Sequence, residues 1–165
     1  MFDLVVRTAG AEDLMAVLGV HARRDPGGEV PRSASGLERQ TWDRVVRSDE
    51  LTVYLAEADG DPVGTATMMV MPNVTYACAP TAFVEAVVVA AEHRRRGIAG
   101  AMLRQLLADA RSVGCNKVQL LSHKRHAFDG AHRLYSSLGF QPEAEGFRLY
   151  LRQAPASAHG AGADG

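Results

Sequence analysis

The sequence predicts an α/β or α+β domain built on one mixed sheet. Three observations carry that expectation. "LTVYLAEADGDPVGTATMMVM" (residues 51–71) reads as two β-rich runs joined at Asp59-Gly60, a strong hairpin signal. Ala99, Met102, Leu103, Leu106, Leu107, Ala110 and Val113 recur at steps of three and four, the mark of an amphipathic helix. "AFVEAVVVA" (82–90) is almost continuously apolar, as a strand covered on both faces must be.

The other elements follow in chain order. "DLVVRT" is strand-like, and a helix is expected from Ala11 to about Arg23, with Glu12 and Asp13 at the positive end of its dipole. Arg24 to Gly36 is polar and rich in turn residues, so it reads as a connection. "LERQTWDRVVRSD" gives a second short helix, and "PNVTYACAPT" a loop after the hairpin. Gly114 stops the long helix, as a residue tolerating positive φ should. "KVQLLS" is a strand, "FDGAHRLYSSL" a helix ended by Gly139, and "FRLYLR" a last strand. The order is therefore β-α-α-β-β-β-α-β-α-β, without internal repeats. The final "QAPASAHGAGADG" is too small and polar to bury a core. Residues 1–152 are thus expected as one domain and 153–165 as a disordered tail.

Composition excludes several function classes. With 47% hydrophobic residues, a chain of 165 residues can bury a sizeable core. Lys and Arg number 18 against 19 Asp and Glu, so no global field draws the chain to nucleic acid or an acidic membrane. Interleaved surface aromatics of the kind that bind nucleic acid are also lacking. Any anion site must be local. Cys78 and Cys115 are too few for a disulfide framework, which favours a reduced, cytoplasmic setting. "MFDLVVRTAG" does not read as a signal peptide, and no run of 18 apolar residues occurs to span a bilayer. His123 and His126 lie close together, but no Cys or acidic partner completes a ligand set, so no metal is expected.

"HRRRGIAGAML" (93–103) stacks three arginines at the junction between the apolar strand and the amphipathic helix. The first turn of a helix leaves about four N–H groups without internal partners, and the dipole adds positive charge there. Together they make an anion site. Arg94, Arg95 and Arg96 can meet phosphate oxygens in forked geometry. Gly97 and Gly100 would let phosphates approach without meeting a Cβ. On this turn alone, a solvated basic turn stays an equal alternative. G-x-G-x-x-G and the lysine-bearing P-loop pattern are both missing.

Arg94-x-x-Gly97-x-Ala99, preceded by "VEAVVV" and followed by "GAML", resembles the [QR]-x-x-G-x-[GA] acetyl-CoA signature of the GNAT superfamily of N-acetyltransferases. "AHRLYSSLGF" (131–140) is similar to that family's carboxy-terminal motif, a helix carrying Tyr followed by Leu-Gly-Phe. The element order agrees from Leu4 to about Arg152. The resemblance implies a mixed, mostly antiparallel sheet, splayed at the cofactor site and flanked by about four helices. It also implies acetyl-CoA as co-substrate. Val87, Val88 and Val89 would offer backbone groups to the pantetheine amides and the acetyl carbonyl. Arg94, Arg95, Arg96, Gly97, Ile98, Ala99 and Gly100 would hold the pyrophosphate. The family's Asn ahead of the Tyr-bearing helix falls at Phe128 here, leaving Ser122 or a backbone group to substitute.

Acetyl transfer from a thioester to an amine needs a neutral amine, a stabilised oxyanion and a proton for the leaving thiolate. The resemblance makes Tyr135 the general acid; its alternative is an aromatic packing helix to sheet. Glu85 is the candidate base. A carboxylate inside an apolar strand is costly to bury unless paired or used, and partial burial would raise its pKa. Its alternative is an edge-facing or salt-bridged Glu. The expected function is N-acetylation of a small-molecule primary amine by direct transfer through a ternary complex. A protein amino-terminal or lysine acetyltransferase, or a non-catalytic acyl-CoA binder, are the alternatives, and a homodimer stays open. The segments 21–34 and 72–81 would wall the acceptor groove. Met68, Met69 and Met71 are expected to pack a core or line a pocket.

Overall fold

The computed structural model describes residues 2–123 and 130–151. Five strands form one sheet in the order β1 (Leu4–Thr8), β2 (Leu51–Ala58), β3 (Asp61–Met71), β4 (Thr81–Val89) and β5 (Lys117–Leu120). All neighbours are antiparallel except β4 and β5, which run parallel. Four helices flank the sheet: α1 (Leu14–Ala22), α2 (Gly36–Val46), α3 (Ile98–Ser112) and α4 (Ala131–Ser137). A single 3-10 turn, Ala11–Asp13, leads into α1.

Side-chain alternation along β2 assigns the helices to opposite faces. Val53 and Leu55 are buried with Val17, Val20 and Trp42 of α1 and α2. Tyr54 is buried with Leu103 and Leu106, and Ala56 and Ala58 with Ile98 and Met102, all on α3. Each fully buried side chain such as Leu55 or Leu103 contributes about 1.5–3 kcal/mol over its exposed state. Trp42 satisfies its indole N–H on the carbonyls of Gly10 and Ala11, at 3.2 and 3.1 Å. Ser35 caps α2: its hydroxyl accepts from the Glu38 N–H, and the Glu38 carboxylate accepts from the Ser35 N–H at 2.6 Å.

Polar contacts fix the edges of these layers. Arg7 on β1 grips both Asp13 oxygens, at 2.7 and 2.8 Å, and also reaches Glu57 on β2 at 2.7 Å. Hydrogen bonding to Arg7 holds the buried Asp13 carboxyl below its ordinary range, against the opposing cost of burial.

The expected strand "FRLYLR" is not formed over its described residues. Phe147 and Leu149 are 90% and 83% exposed, and no strand pairing is recorded for the segment. Alternating apolar residues supply a strand's side chains but not its ladder partner. Arg152, the tail at 153–165, His126 and Phe128 lie outside the described residues.

Candidate active site

Two departures from regularity shape β4. Thr65 on β3 pairs with Val88 while Thr67 pairs with Glu85, so β4 carries one extra residue there. Ala86 adopts a left-handed φ of 51° inside this bulge. The bulge lets Val84 and Val87 both pack in the α3 cluster, while Val88 packs against α1 and α2. On its other side β4 pairs with β5 only from Thr81↔Lys117 to Val84↔Leu120. From Glu85 onward β4 has no recorded pairing with β5 among the described residues, while Val88 and Val89 stay paired with Thr65 and Gly64 of β3.

Beyond Val89 the chain turns through residues 90–97 into α3. Gly97 caps the helix at φ 82°, a conformation that suits glycine and puts no side chain over the turn. Ala101 is the first residue whose N–H is taken up by the helix, on the Gly97 carbonyl at 3.0 Å. The N–H groups of Ile98, Ala99 and Gly100 therefore point out of the helix end. Arg95 also adopts a left-handed φ, of 59°. A Cβ placed on Gly100 would lie 3.4 Å from Leu134, which puts α4 beside this turn.

The three arginines do not act together. Arg96 lies over the Phe2 ring at 4.1 Å and contacts His93 at 3.1 Å. Arg94 donates to the carbonyls of Val89 (3.3 Å) and Arg24. Both guanidinium groups are thus taken up by the protein. Arg95 makes no hydrogen bond or ion pair recorded among the described residues. Like charges crowded at one turn find separate partners, and spacing alone does not reveal which.

Glu85 and Tyr135 fall on opposite sides of the sheet. Met68 and Val84, paired across β3 and β4, face α3, so Thr67, Met69, Phe83 and Glu85 face the α1/α2 side. Tyr135, on α4, packs against the α3-side cluster and meets Phe140 edge-on at 6.0 Å between ring centres. Glu85 is exposed rather than partly buried, so burial gives no ground for treating it as a base. Arg148 donates to the Tyr150 hydroxyl at 3.3 Å, the main cause of its raised pKa, with a smaller contribution from the charge of Glu85. Ser122 contacts His132 of α4 at 3.1 Å.

The two expected acceptor walls join β4 at different ends: residues 23 and 24 are tied to Ala91 and Arg94 past Val89, whereas segment 72–80 leads into Thr81. Met68 is buried, whereas Met69 and Met71 are 38% and 41% exposed on the α1/α2 side. The segment 72–80 holds Tyr76, Ala77 and Cys78 at successive left-handed φ values of 52°, 55° and 64°. A separate cleft of about 520 Å³ opens between α1 and α2, lined by Leu14, Met15, Arg32, Arg39, Trp42 and Asp43. No residue of β4 or of the α3 turn lines it. Among the described residues no group of His, Cys, Asp or Glu is placed to hold a metal, and no helix is long and apolar enough to cross a membrane.

The model of the acetyltransferase (GNAT) family matches residues 18–140. The chain belongs to this family. A curated glucosamine 6-phosphate N-acetyltransferase of Trypanosoma brucei brucei is 31% identical over 99 residues, 60% of this chain and 64% of that protein. An aminoglycoside N(6')-acetyltransferase type 1 of Salmonella typhimurium is 25% identical over 134 residues, covering 72% of this chain and 89% of that one. The solved structure of an aminoglycoside N-acetyltransferase in complex with CoA superposes with a TM-score of 0.71. That superposition covers 93% of this chain and 97% of the other at 19% identity, a likeness of fold alone. The bulged β4 and the glycine-capped α3 thus sit in a GNAT fold. Sequence signals the turn; it does not signal the Ala86 bulge, because alanine carries no preference for positive φ.

Proposed function

We propose that this chain is an acetyl-CoA-dependent N-acetyltransferase that acetylates the primary amine of a small molecule by direct transfer in a ternary complex. What supports the reading is the end of β4–β5 pairing at Val84↔Leu120, together with the open N–H groups that begin α3 on the segment following β4. The N–H groups from Arg95 to Gly100, with the Arg95 side chain, hold the pyrophosphate. Backbone groups of Val87, Val88 and Val89 bind the pantetheine arm and the acetyl carbonyl.

The amine nitrogen attacks the thioester carbon, the carbon–sulfur bond breaks, and an amide and free CoA result. Glu85 takes the amine proton, directly or through water, from the α1/α2 side. Tyr135 donates to the departing thiolate from the α3/α4 side. Placing acid and base on opposite faces suits a substrate threaded between two strands. A cytoplasmic location fits a co-substrate of this kind and a chain with only two cysteines, Cys78 and Cys115.

The test is release of CoA thiol from acetyl-CoA with glucosamine 6-phosphate, neamine, a lysine peptide and a free amino-terminal peptide. Release with a small amine supports the proposal. Release with peptides alone would transfer the reading to protein acetylation. A thermal shift with CoA but no release with any amine would leave a binder without turnover.

A further inference from the structure

The end of α1 is fastened to the strands by a cluster of contacts. Ala91 donates its N–H to the Arg23 carbonyl at 2.8 Å. Arg23 itself donates from Nε to Gly19 (3.2 Å), reaches the Pro62 carbonyl, and pairs with Glu92 at 3.1 Å. The next carbonyl, that of Arg24, accepts from Arg94. The same guanidinium donates from Nε to the Val89 carbonyl at 3.3 Å.

Beyond Arg24 the chain turns sharply. Gly28 donates to the Asp25 carbonyl at 3.2 Å, and a Cβ there would fall 1.8 Å from the Ala22 carbonyl oxygen. The turn is therefore folded tightly onto the end of α1, and residues 25–30 are all exposed after it. Among the described residues Arg24, just past the end of α1, is the last backbone group before this exposed stretch tied to the turn before α3. Arg94 supplies that tie.

We propose that Arg94 is a positioning residue, not a phosphate ligand: it ties the end of β4 and the turn before α3 to the first turn of the α1–α2 connection. One fork of the guanidinium fixes the Val89 peptide at the end of β4, and another fixes where the wall of the acceptor groove leaves α1. The two substrates would thereby be set against each other by a single side chain. This inference rests on the acetyltransferase reading for its kinetic consequence, but the contact between Arg94 and the connection is independent of it.

The experiment compares Arg94→Gln and Arg94→Lys with the parent in three measurements. Amide hydrogen exchange follows residues 23–30, calorimetry follows binding of CoA, and kinetics use glucosamine 6-phosphate and neamine as acceptors. For Arg94→Gln, exchange over 23–30 should quicken about tenfold, as loss of a hydrogen bond from a charged donor implies. The acceptor KM should rise by roughly the same factor while the Kd for CoA stays within about threefold. Arg94→Lys, which keeps a charged donor for the Arg24 carbonyl, should recover part of both effects. A tenfold weaker CoA affinity with unchanged exchange would overturn the inference and return Arg94 to the phosphates. If the parent binds no CoA, the acetyltransferase reading fails, and the exchange comparison alone decides the tie. If neither amine is acetylated, exchange and CoA binding decide together.

Discussion

The hydroxyl of Tyr54 donates to the Asp109 carboxylate at 2.8 Å, joining the middle of the sheet to the last turns of α3. Tyr54 is 1% exposed, and burial, reinforced by the Asp109 carboxylate, pushes its phenol far above the ordinary range. The hydroxyl therefore stays a donor at every working pH. Asp109 also accepts from Gln105 at 3.0 Å, so it keeps one partner when the other is removed. Tyr54→Phe should cost about 1–2 kcal/mol, read as a lower urea midpoint with unchanged slope. Unchanged stability would mean that the bond is offset by the desolvation of its carboxylate.

The contact between Arg7 and Asp13 makes a pH-dependent prediction. Asp13 has its pKa lowered from an ordinary 3.8, chiefly by hydrogen bonding to Arg7. A depressed carboxyl stabilises the fold at pH above its unfolded value and loses that contribution as pH falls through the folded one. Arg7→Ala should cost about 2 kcal/mol at pH 7, reduced from the value of a fully buried pair because Arg7 is 38% exposed. Thermal midpoints of parent and variant should converge below about pH 4. A gap that persists undiminished at pH 3 would assign the loss to packing of the Arg7 stem.

Gly64 on β3 lies beneath α3, where a Cβ would come within 2.9 Å of the Met102 methyl and 3.0 Å of the Ile98 Cγ2. The Met102 end can swing aside, but Ile98 is branched and 1% exposed. Gly64→Val should destabilise by about 2–3 kcal/mol by overpacking and push α3 from the sheet. Because α3 begins at the turn proposed to hold the cofactor, CoA affinity should fall with stability in a thermal-shift titration. Full affinity in a folded Gly64→Val protein would show that the turn is positioned without this contact.

Much of the fold was legible because its signals are local. Asp59-Gly60 marked the hairpin, the three-and-four spacing marked α3, and Gly114 marked its end. The turn before α3 was legible for the same reason: glycine at positive φ and a helix start are written in adjacent residues. What stayed hidden depends on partners distant in sequence. Nothing near Arg94 announces that it reaches Val89 and Arg24, nor that Arg96 stacks on Phe2 from the other end of the chain. The Ala86 bulge follows from the register against β3. The sequence left Glu85 open between a partly buried and an edge-facing carboxylate, and the structure has it exposed. The strand expected over "FRLYLR" fails likewise, since alternation says nothing of whether an edge is there to receive it.

Tyr135 and Glu85 can be separated kinetically. Tyr135→Phe should lower kcat by about 10- to 100-fold, the low end for an acid because a thiolate leaves readily, with the Kd for acetyl-CoA nearly unchanged. Glu85→Gln should lower kcat/KM most with a protonated amine and least with a weakly basic one that is already neutral. Unchanged kcat in Tyr135→Phe would reduce Tyr135 to its packing against Phe140. An equal loss with both amines would give Glu85 a role other than proton removal.

The measurement nearest the centre of the account is calorimetric titration of CoA into the parent and into Gly97→Asp. Gly97 sits at φ 82° with nothing within 4 Å of a Cβ placed there, and aspartate tolerates that conformation better than most residues. Circular dichroism should therefore match the parent, with the thermal midpoint lowered only by the strain of a non-glycine at this φ, about 1–2 kcal/mol. A carboxylate over the open N–H groups of α3 would compete with the pyrophosphate, and the Kd should rise by about 100-fold or more, in line with loss of two charge-assisted hydrogen bonds. Equal CoA affinity in two equally folded proteins would contradict the assignment of this turn as the cofactor's anion site.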